Sequence, residues 1–267
     1  RQSQDRNGRL RLIYDAEYPA DSTPLSPGMP VAGGEYTNAE IAPFVAGLLP
    51  DNDQVLDRWG RLFGVSPRNV FAILANVGVD CAGAVQFVPA DAVDTMNDGM
   101  LEPLTEAQVA RMLRDLRADP YTWQQPEGAR GGHFSLAGAQ TKFALHRTAK
   151  GWARPSGRIP TTHIFKPAIA GVPHHDLNEH LCLQAANRLG LLAASSSLAR
   201  FEEERVFVVE RYDRRRVDGE MRRLHQVDMC QALGVMPNLK YQRDGGPSPA
   251  DIISAIRSAL AGEADVE

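Results

Sequence analysis

An α+β fold, in which a small sheet leads into a helical region, is what this sequence of 267 residues predicts. Three observations carry the prediction. Capped amphipathic helices dominate the stretch up to Leu116, short β-branched and aromatic segments with one inserted helix follow Phe134, and helices return after Gln226. Between the first two lies "ADPYTWQQPEGARGGH", Ala118 to His133, rich in proline, glycine and polar residues and without either period. It reads as a linker. The expected division is a subdomain over 1–118, a linker over 119–133 and a second unit over 134–267.

The elements follow in order. "LRLIYD" is strand-like, and the Pro/Gly/Ser-rich "YPADSTPLSPGMPVAGG" after it is an irregular connection. Thr37 and Glu40 have capping-box spacing, and Ile41, Phe44, Val45 and Leu48 continue as one helical stripe. Ser66-Pro67 opens a second helix through Val70, Phe71, Ile73 and Leu74, with Pro67 at the first helical position, where its missing N–H is harmless. Thr105 and Gln108 open a third, carrying Val109, Met112, Leu113 and Leu116.

Beyond the linker, Phe134 to His146 reads as strand-turn-strand, and "THIFKP" as a strand stopped by Pro167. Leu177, Leu181, Ala185 and Leu189 repeat at helical spacing before Gly190. "RVFVVERYD", Arg205 to Asp213, is a valine-rich strand. "HQVDMCQALG" is a helix closed by Gly234, and Ser248-Pro249 caps a last one with Ile252, Ile253, Ile256 and Leu260.

Hydrophobic content of 43%, charged content of 23% and a net charge of -4 describe an ordinary globular chain without a broad basic footprint. Cys81, Cys182 and Cys230 are odd in number and widely spaced, which fits a reducing cytoplasm. No apolar run approaches the roughly 20 residues that span a bilayer, and no membrane association is expected. The chain opens on Arg1 rather than methionine, which reads as the interior of a longer gene product.

"FSLAGAQTKFAL", Phe134 to Leu145, is the first stretch that could carry chemistry. Ala137, Gly138 and Ala139 would let an anion approach backbone N–H groups closely, with Gln140 and Lys142 adding side-chain donors. The same residues also suit a plain hairpin, and they match neither common glycine-rich phosphate motif. Lys166, in "HIFKP", is a lysine within an apolar strand. Such a group is exposed, paired or in contact with a ligand, because an isolated buried ammonium is costly, and Glu179 is its candidate partner. Third is "VVERYD", an apolar strand ending in Glu210, Arg211, Tyr212 and Asp213. Loop, strand lysine, helix glutamate, strand and charged hinge occur in the order of a kinase nucleotide-binding lobe.

"FSLAGAQTKFAL", "THIFKP", "NEHLCLQAANRLGL", "VVERYDR", "RLHQVDMCQALG" and "KYQRDGGPS" together resemble the HipA family of bacterial toxin serine/threonine kinases, in the family's order. "LSPGMPV" and "FVAGLLPDN" resemble the small N-terminal subdomain of the same proteins. The resemblance implies a two-lobed protein-kinase-like fold, here the N-lobe and the start of the helical lobe, preceded by that subdomain. It implies ATP and Mg²⁺ as cofactors, a small helix-turn-helix antitoxin as partner, DNA reached only through the antitoxin, and glutamyl-tRNA synthetase as a protein substrate. It places ATP phosphates at Ala137, Gly138, Ala139, Gln140 and Lys142, a phosphate-contacting lysine at Lys166 with Glu179, and adenine-side contacts at Glu210, Tyr212 and Asp213. It makes Ser135 the serine whose autophosphorylation displaces the loop and silences the kinase.

Two departures stand out. The family often has Gln-Glu-Asp where this chain has Gln226, Val227 and Asp228. No "GN-x-D-x-H-x-KN"-like stretch occurs, so the catalytic aspartate and metal-binding aspartate are expected beyond Glu267 and the chain as given is expected to lack metal ligands. His174, His175 and His180 have no standard zinc spacing. The alternative to an enzyme is a non-catalytic module of a split or degenerate kinase that binds a partner or an anion through the same loop.

Overall fold

The computed structural model describes residues 1–93, 99–120, 134–169 and 171–264, with backbone alone at 92 and 260–264. Most of the expected linker and the acidic end of the chain lie outside the described residues. Strands β1 (Gln2–Gln4), β2 (Leu10–Ile13) and β3 (Glu35–Tyr36) form an antiparallel sheet in that order. Leu10 and Leu12 of β2 are buried and Arg11 and Ile13 exposed, the alternation of a one-sided sheet. Helix α1 (Asn38–Ala46) packs on β2 and β3 through Ile41, Phe44 and Val45, and its predicted Thr37–Glu40 capping box is present.

Two local differences from the sequence reading concern the next helices. The sequence reading contains no helix at α2 (Asp53–Phe63). Asn52 caps it by accepting from the N–H groups of Gln54 and Val55, Val55 and Trp59 bury, and Gly64 ends it at φ 65°. Helix α3 (Val70–Val77) begins three residues later than Ser66-Pro67 suggests, because the Asn69 side chain caps it by accepting from Ala72 N–H.

A six-stranded antiparallel sheet forms the second body. Its strands are β5 (Leu101–Leu104), β7 (Phe143–Thr148), β8 (Gly151–Pro155), β9 (His163–Pro167), β10 (Ser196–Phe201) and β11 (Glu204–Glu210), in the order β10-β11-β9-β7-β8-β5. Helix α4 (Glu106–Ala118) packs across β9, β10 and β11, and its Val109, Leu113 and Leu116 share a buried cluster with Phe143, Phe165 and Phe201. This sheet is therefore built from both sides of residues 119–133. Helix α5 (His175–Arg188) lies against β10 and β11. Its predicted repeat of leucines does not form its inner face: Leu181 and Leu189 are exposed, and the fully buried residue is Asp176, bridged to Arg205 at 2.7 Å.

The expected strand-turn-strand at Phe134 to His146 is not a hairpin. Its first arm, β6 (Phe134–Ser135), pairs in parallel with β4 (Asp80–Cys81), while its second arm, β7, pairs with β8 and β9. A parallel partner distant in sequence won over the local turn, so the segment stitches the N-terminal subdomain to the large sheet. After β11 a short hairpin, β12 (Arg214–Val217) and β13 (Glu220–Arg223), turns through Asp218 and Gly219 at φ 52° and 86°, the positive pair that a tight two-residue turn demands. Helix α6 (Met229–Leu233) is capped by Asp228 and ended by Gly234, and α7 (Pro249–Ala264) starts where Ser248 and Asp251 exchange hydrogen bonds. Among the described residues no helix is long and apolar enough to cross a membrane.

Candidate functional site

Residues 136–142 run from β6 to β7 as an irregular loop. Gly138 sits at φ 104°, a conformation open to glycine and strained for other residues. Ala137 and Ala139 are exposed, whereas Lys142 is buried at 5% exposure and donates from Nζ to the carbonyls of Ala137 (3.1 Å) and Gly138 (3.3 Å). Gln140 Nε2 donates to Pro167 O at 3.5 Å, which ties the loop to the end of β9.

Register places the two lysines side by side. Phe143 of β7 lies opposite Phe165 of β9, so Lys142, one residue earlier, falls opposite Lys166, one residue later. Phe207 of β11 lies opposite Lys166 on its other side, with the ammonium 5.4 Å from the ring centre. Lys166 reaches Glu179 of α5 at 2.5 Å, and both side chains keep partial exposure, 19% and 30%. The predicted pair is thus formed, on the face of β9 opposite Phe165. Like charges directly across a sheet are unfavourable; Glu179 pairs with Lys166, and the charges of Asp51 and Glu179 both favour the Lys142 ammonium. Burial, and then the charge of Lys166, push the Lys142 ammonium down to about 7.

That shift has a measurable consequence. Between about 7, where folded Lys142 titrates, and 10.5, its ordinary value, the unfolded chain holds a proton the folded chain has released. The cost of the buried ammonium is complete below the lower value and gone above the upper one. The ligand-free protein should therefore gain stability relative to a Lys142→Met variant as pH rises from about 7 to about 10. Thermal melts of both proteins across that range check this, and parallel curves would refute it.

At the hinge, Glu210 and Tyr212 are exposed, and the Tyr212 hydroxyl is hydrogen-bonded to Gln226 Oε1. Asp213 is buried at 5% and turned inward. Its carboxylate accepts from Arg211, Arg214 and the Gly83 N–H, so the side chain is occupied by the protein itself. Ser135 is fully buried in β6, where its hydroxyl donates to Leu48 O at 2.7 Å. A serine on the loop's own strand is thereby held by the turn after α1, in the stretch "FVAGLLPDN".

Residues 134–267 match the sequence profile of the HipA-like C-terminal domain, and residues 2–88 that of the HipA N-terminal domain. The chain belongs to the HipA family. It is 38% identical over 266 residues to a putative kinase, Y4mE, of Sinorhizobium fredii, covering 97% of this chain and 62% of the relative. It is 34% identical over 235 residues to the serine/threonine-protein kinase toxin HipA of Shewanella oneidensis, covering 87% of this chain and 52% of the relative. In three dimensions it is similar to Shewanella oneidensis HipA from a toxin–antitoxin complex with HipB and its operator DNA. The TM-score is 0.75 at 32% identity, over 94% of this chain and 57% of the other. The chain spans between half and two thirds of the length of these relatives, and its fold is the kinase-like α+β fold of HipA.

Within this chain of the HipA family, sequence reasoning missed a buried ionic cluster behind the hinge. Asp80 accepts from Arg211, Arg214 and Arg223 at 3.2, 3.0 and 3.1 Å, and from Thr161 Oγ1 at 2.5 Å. Burial pushes the Asp80 carboxyl up, but the three guanidinium groups outweigh it and hold it below the usual range. The run "RYDRRR" reads as solvated charge, and only an inward alternation of Arg211, Asp213 and Arg214 around Tyr212 would have hinted otherwise. Where the family often has a glutamate, Val227 packs against the core, while Asp228 caps α6. Of His174, His175 and His180, His180 bonds Ser196 Oγ and His175 lies 3.8 Å from Glu179.

Proposed function

We propose that this chain supplies the nucleotide-binding part of a HipA-type protein serine/threonine kinase. The observation that carries the reading is the row Lys142, Lys166 and Glu179 beside the small-residue loop: two lysines in register, one paired with Glu179 and one donating to the loop carbonyls, placed to serve the phosphates of ATP. Ala137, Gly138, Ala139 and Gln140 lie over the phosphates and Lys142 exchanges its bonds to the loop carbonyls for phosphate oxygens. Glu179 holds Lys166 in place, and Glu210 and Tyr212 flank the adenine, with Asp213 contributing through its position in the hinge backbone. Phosphoryl transfer also needs a carboxylate to orient the acceptor hydroxyl and others for Mg²⁺. The described residues do not fit that part: none of them form a group of three or more His, Cys, Asp or Glu able to hold a metal ion.

The same reading makes a serine of a translation component, such as glutamyl-tRNA synthetase, the acceptor, and a small DNA-binding antitoxin the partner. For Ser135 to accept a phosphoryl group, β6 must leave β4 and the Leu48 carbonyl. Once it carries nearly two negative charges it cannot return to a fully buried position facing a carbonyl. The loop, hung between β6 and β7, then stays displaced, which is a physical route to self-inactivation.

Calorimetric titration of the protein with ATP tests the first part, and binding in the micromolar to low millimolar range is expected. Mass spectrometry after incubating the product of the complete gene with Mg-ATP tests the second. No ATP binding, together with no phosphate on Ser135 or on an added synthetase, would defeat the reading.

A further inference from the structure

We propose that Asp80, which belongs to the N-terminal subdomain, is a positioning residue for the adenine end of this site. The inference rests on the nucleotide reading above and adds to it a division of labour: the phosphate end is built within the large sheet, and the adenine end is set by the N-terminal subdomain.

The geometry is specific. Arg211, Tyr212, Asp213 and Arg214 form the hinge after β11, and all but Tyr212 are buried. Arg211 Nη2 and Arg214 Nη2 both donate to Cys81 O at 2.9 Å, and Arg214 Nη1 donates to Gly83 O at 3.0 Å. Gly83 N–H returns a bond to Asp213 at 2.8 Å. Segment 80–83 thus binds the hinge on its inner side throughout. Gly83 has φ 75°, and a β-carbon there would lie 3.0 Å from the backbone N and O of Gln226, whose side chain accepts from Tyr212. The subdomain therefore touches both the hinge and Gln226, the residue that Tyr212 bonds.

Charge explains why Asp80 matters most in this contact. Arg211, Arg214 and Arg223 face two carboxylates, Asp80 and Asp213, which leaves one positive charge in excess, and Asp80 touches all three guanidinium groups. Arg211 and Arg214 repel one another in a dry site, and burial with that repulsion pulls Arg214 down to about 10. Without the Asp80 charge the two arginines separate, the hinge turns, and Tyr212 loses the direction that its inward neighbours impose. Lys142 bonds the Ala137 and Gly138 carbonyls and Lys166 bonds Glu179, while Asp80 meets β6 through its backbone pairing with Phe134, which a change of its side chain to an amide leaves in place, so the phosphate end keeps its form.

Two probes separate the ends of the site: ATP, which uses both, and inorganic tripolyphosphate, which uses one. Calorimetric titration of wild type, Asp80→Asn and Arg223→Met with each probe provides the test. Asp80→Asn is expected to weaken ATP about tenfold or more and to leave tripolyphosphate within about twofold. Arg223→Met keeps Asp80 paired with two arginines and guards against a folding failure in the first variant; it should show the same selective loss, a few-fold in size. A folded Asp80→Asn protein that binds ATP like the wild type, or any variant that loses both probes in equal measure, overturns the inference alone. A wild type that binds neither probe overturns the nucleotide reading, and the inference with it.

Discussion

Replacing Lys166 with methionine is expected to weaken ATP binding by about ten- to a hundredfold while leaving the melting temperature nearly unchanged. The two outcomes separate because the lysine's contacts differ in kind. Its ion pair with Glu179 is short, 2.5 Å, but both side chains keep some exposure, so the pair adds little net stability and the glutamate can rehydrate when alone. Toward a polyphosphate the same ammonium is a charge-assisted donor placed in advance by Glu179 and by Phe207. Such hydrogen bonds contribute about 1.5–3 kcal/mol each, hence the expected range. Glu179→Gln should cost less, a few-fold, since an amide still bonds the lysine while its charge is gone. Titration calorimetry beside thermal melts measures both quantities, and undiminished ATP binding by Lys166→Met would remove the central residue of the site.

Placing aspartate at Ser135 should have the larger effect on the fold. The hydroxyl is fully buried and donates to Leu48 O, so a carboxylate there would face a carbonyl without a donor and without water. A penalty of about 3–5 kcal/mol is expected for a buried charge left unpaired. For a chain of this size that corresponds to a loss of roughly 6–20 °C in melting temperature. The chain can avoid the penalty by releasing β6 from β4, at the expense of the Asp80–Phe134 and Cys81–Ser135 pairing and of the loop's position over Lys142 and Lys166. Either way, ATP binding should be lost. Ser135→Ala supplies the contrast, because it removes one donor at about 1–3 kcal/mol and adds no charge, so it should retain ATP binding. Hydrogen exchange across residues 134–142 would locate the opening. An aspartate variant as stable and as competent for ATP as the alanine variant would break the proposed link between Ser135 and the loop.

Both predictions turn on residues that the sequence singled out, but for reasons it only partly contained. Lys166 and Glu179 were legible because each announces itself locally: a lysine inside "HIFKP" and a glutamate early in the next helix leave few partners to choose from. Capping boxes at Thr37 and Thr105 were legible for the same reason, since their chemistry is complete within four residues. Asn52 ahead of α2 and Asp218-Gly219 in the β12–β13 hairpin carried signals of the same local kind and went unread, so those omissions belong to the reading rather than to the sequence.

Other features could not have been read in this way. That Phe134 and Ser135 pair with Asp80 and Cys81 rather than with β7 depends on a segment more than fifty residues away, and local small residues point to a turn with equal force. That Asp213 faces inward depends on Arg211, Arg214 and Gly83, and on α5 it is Asp176, bridged to Arg205, that is fully buried while Leu181 and Leu189 stay exposed. The sequence by itself determined the order of loop, lysine, glutamate and hinge, and the helix boundaries set by capping side chains, because these rest on interactions within a few residues. The tertiary structure decided which charges are spent on the fold and which remain for a ligand. Burial and pairing between Asp80 and three distant arginines are properties of segments brought together, and no spacing along the chain encodes them.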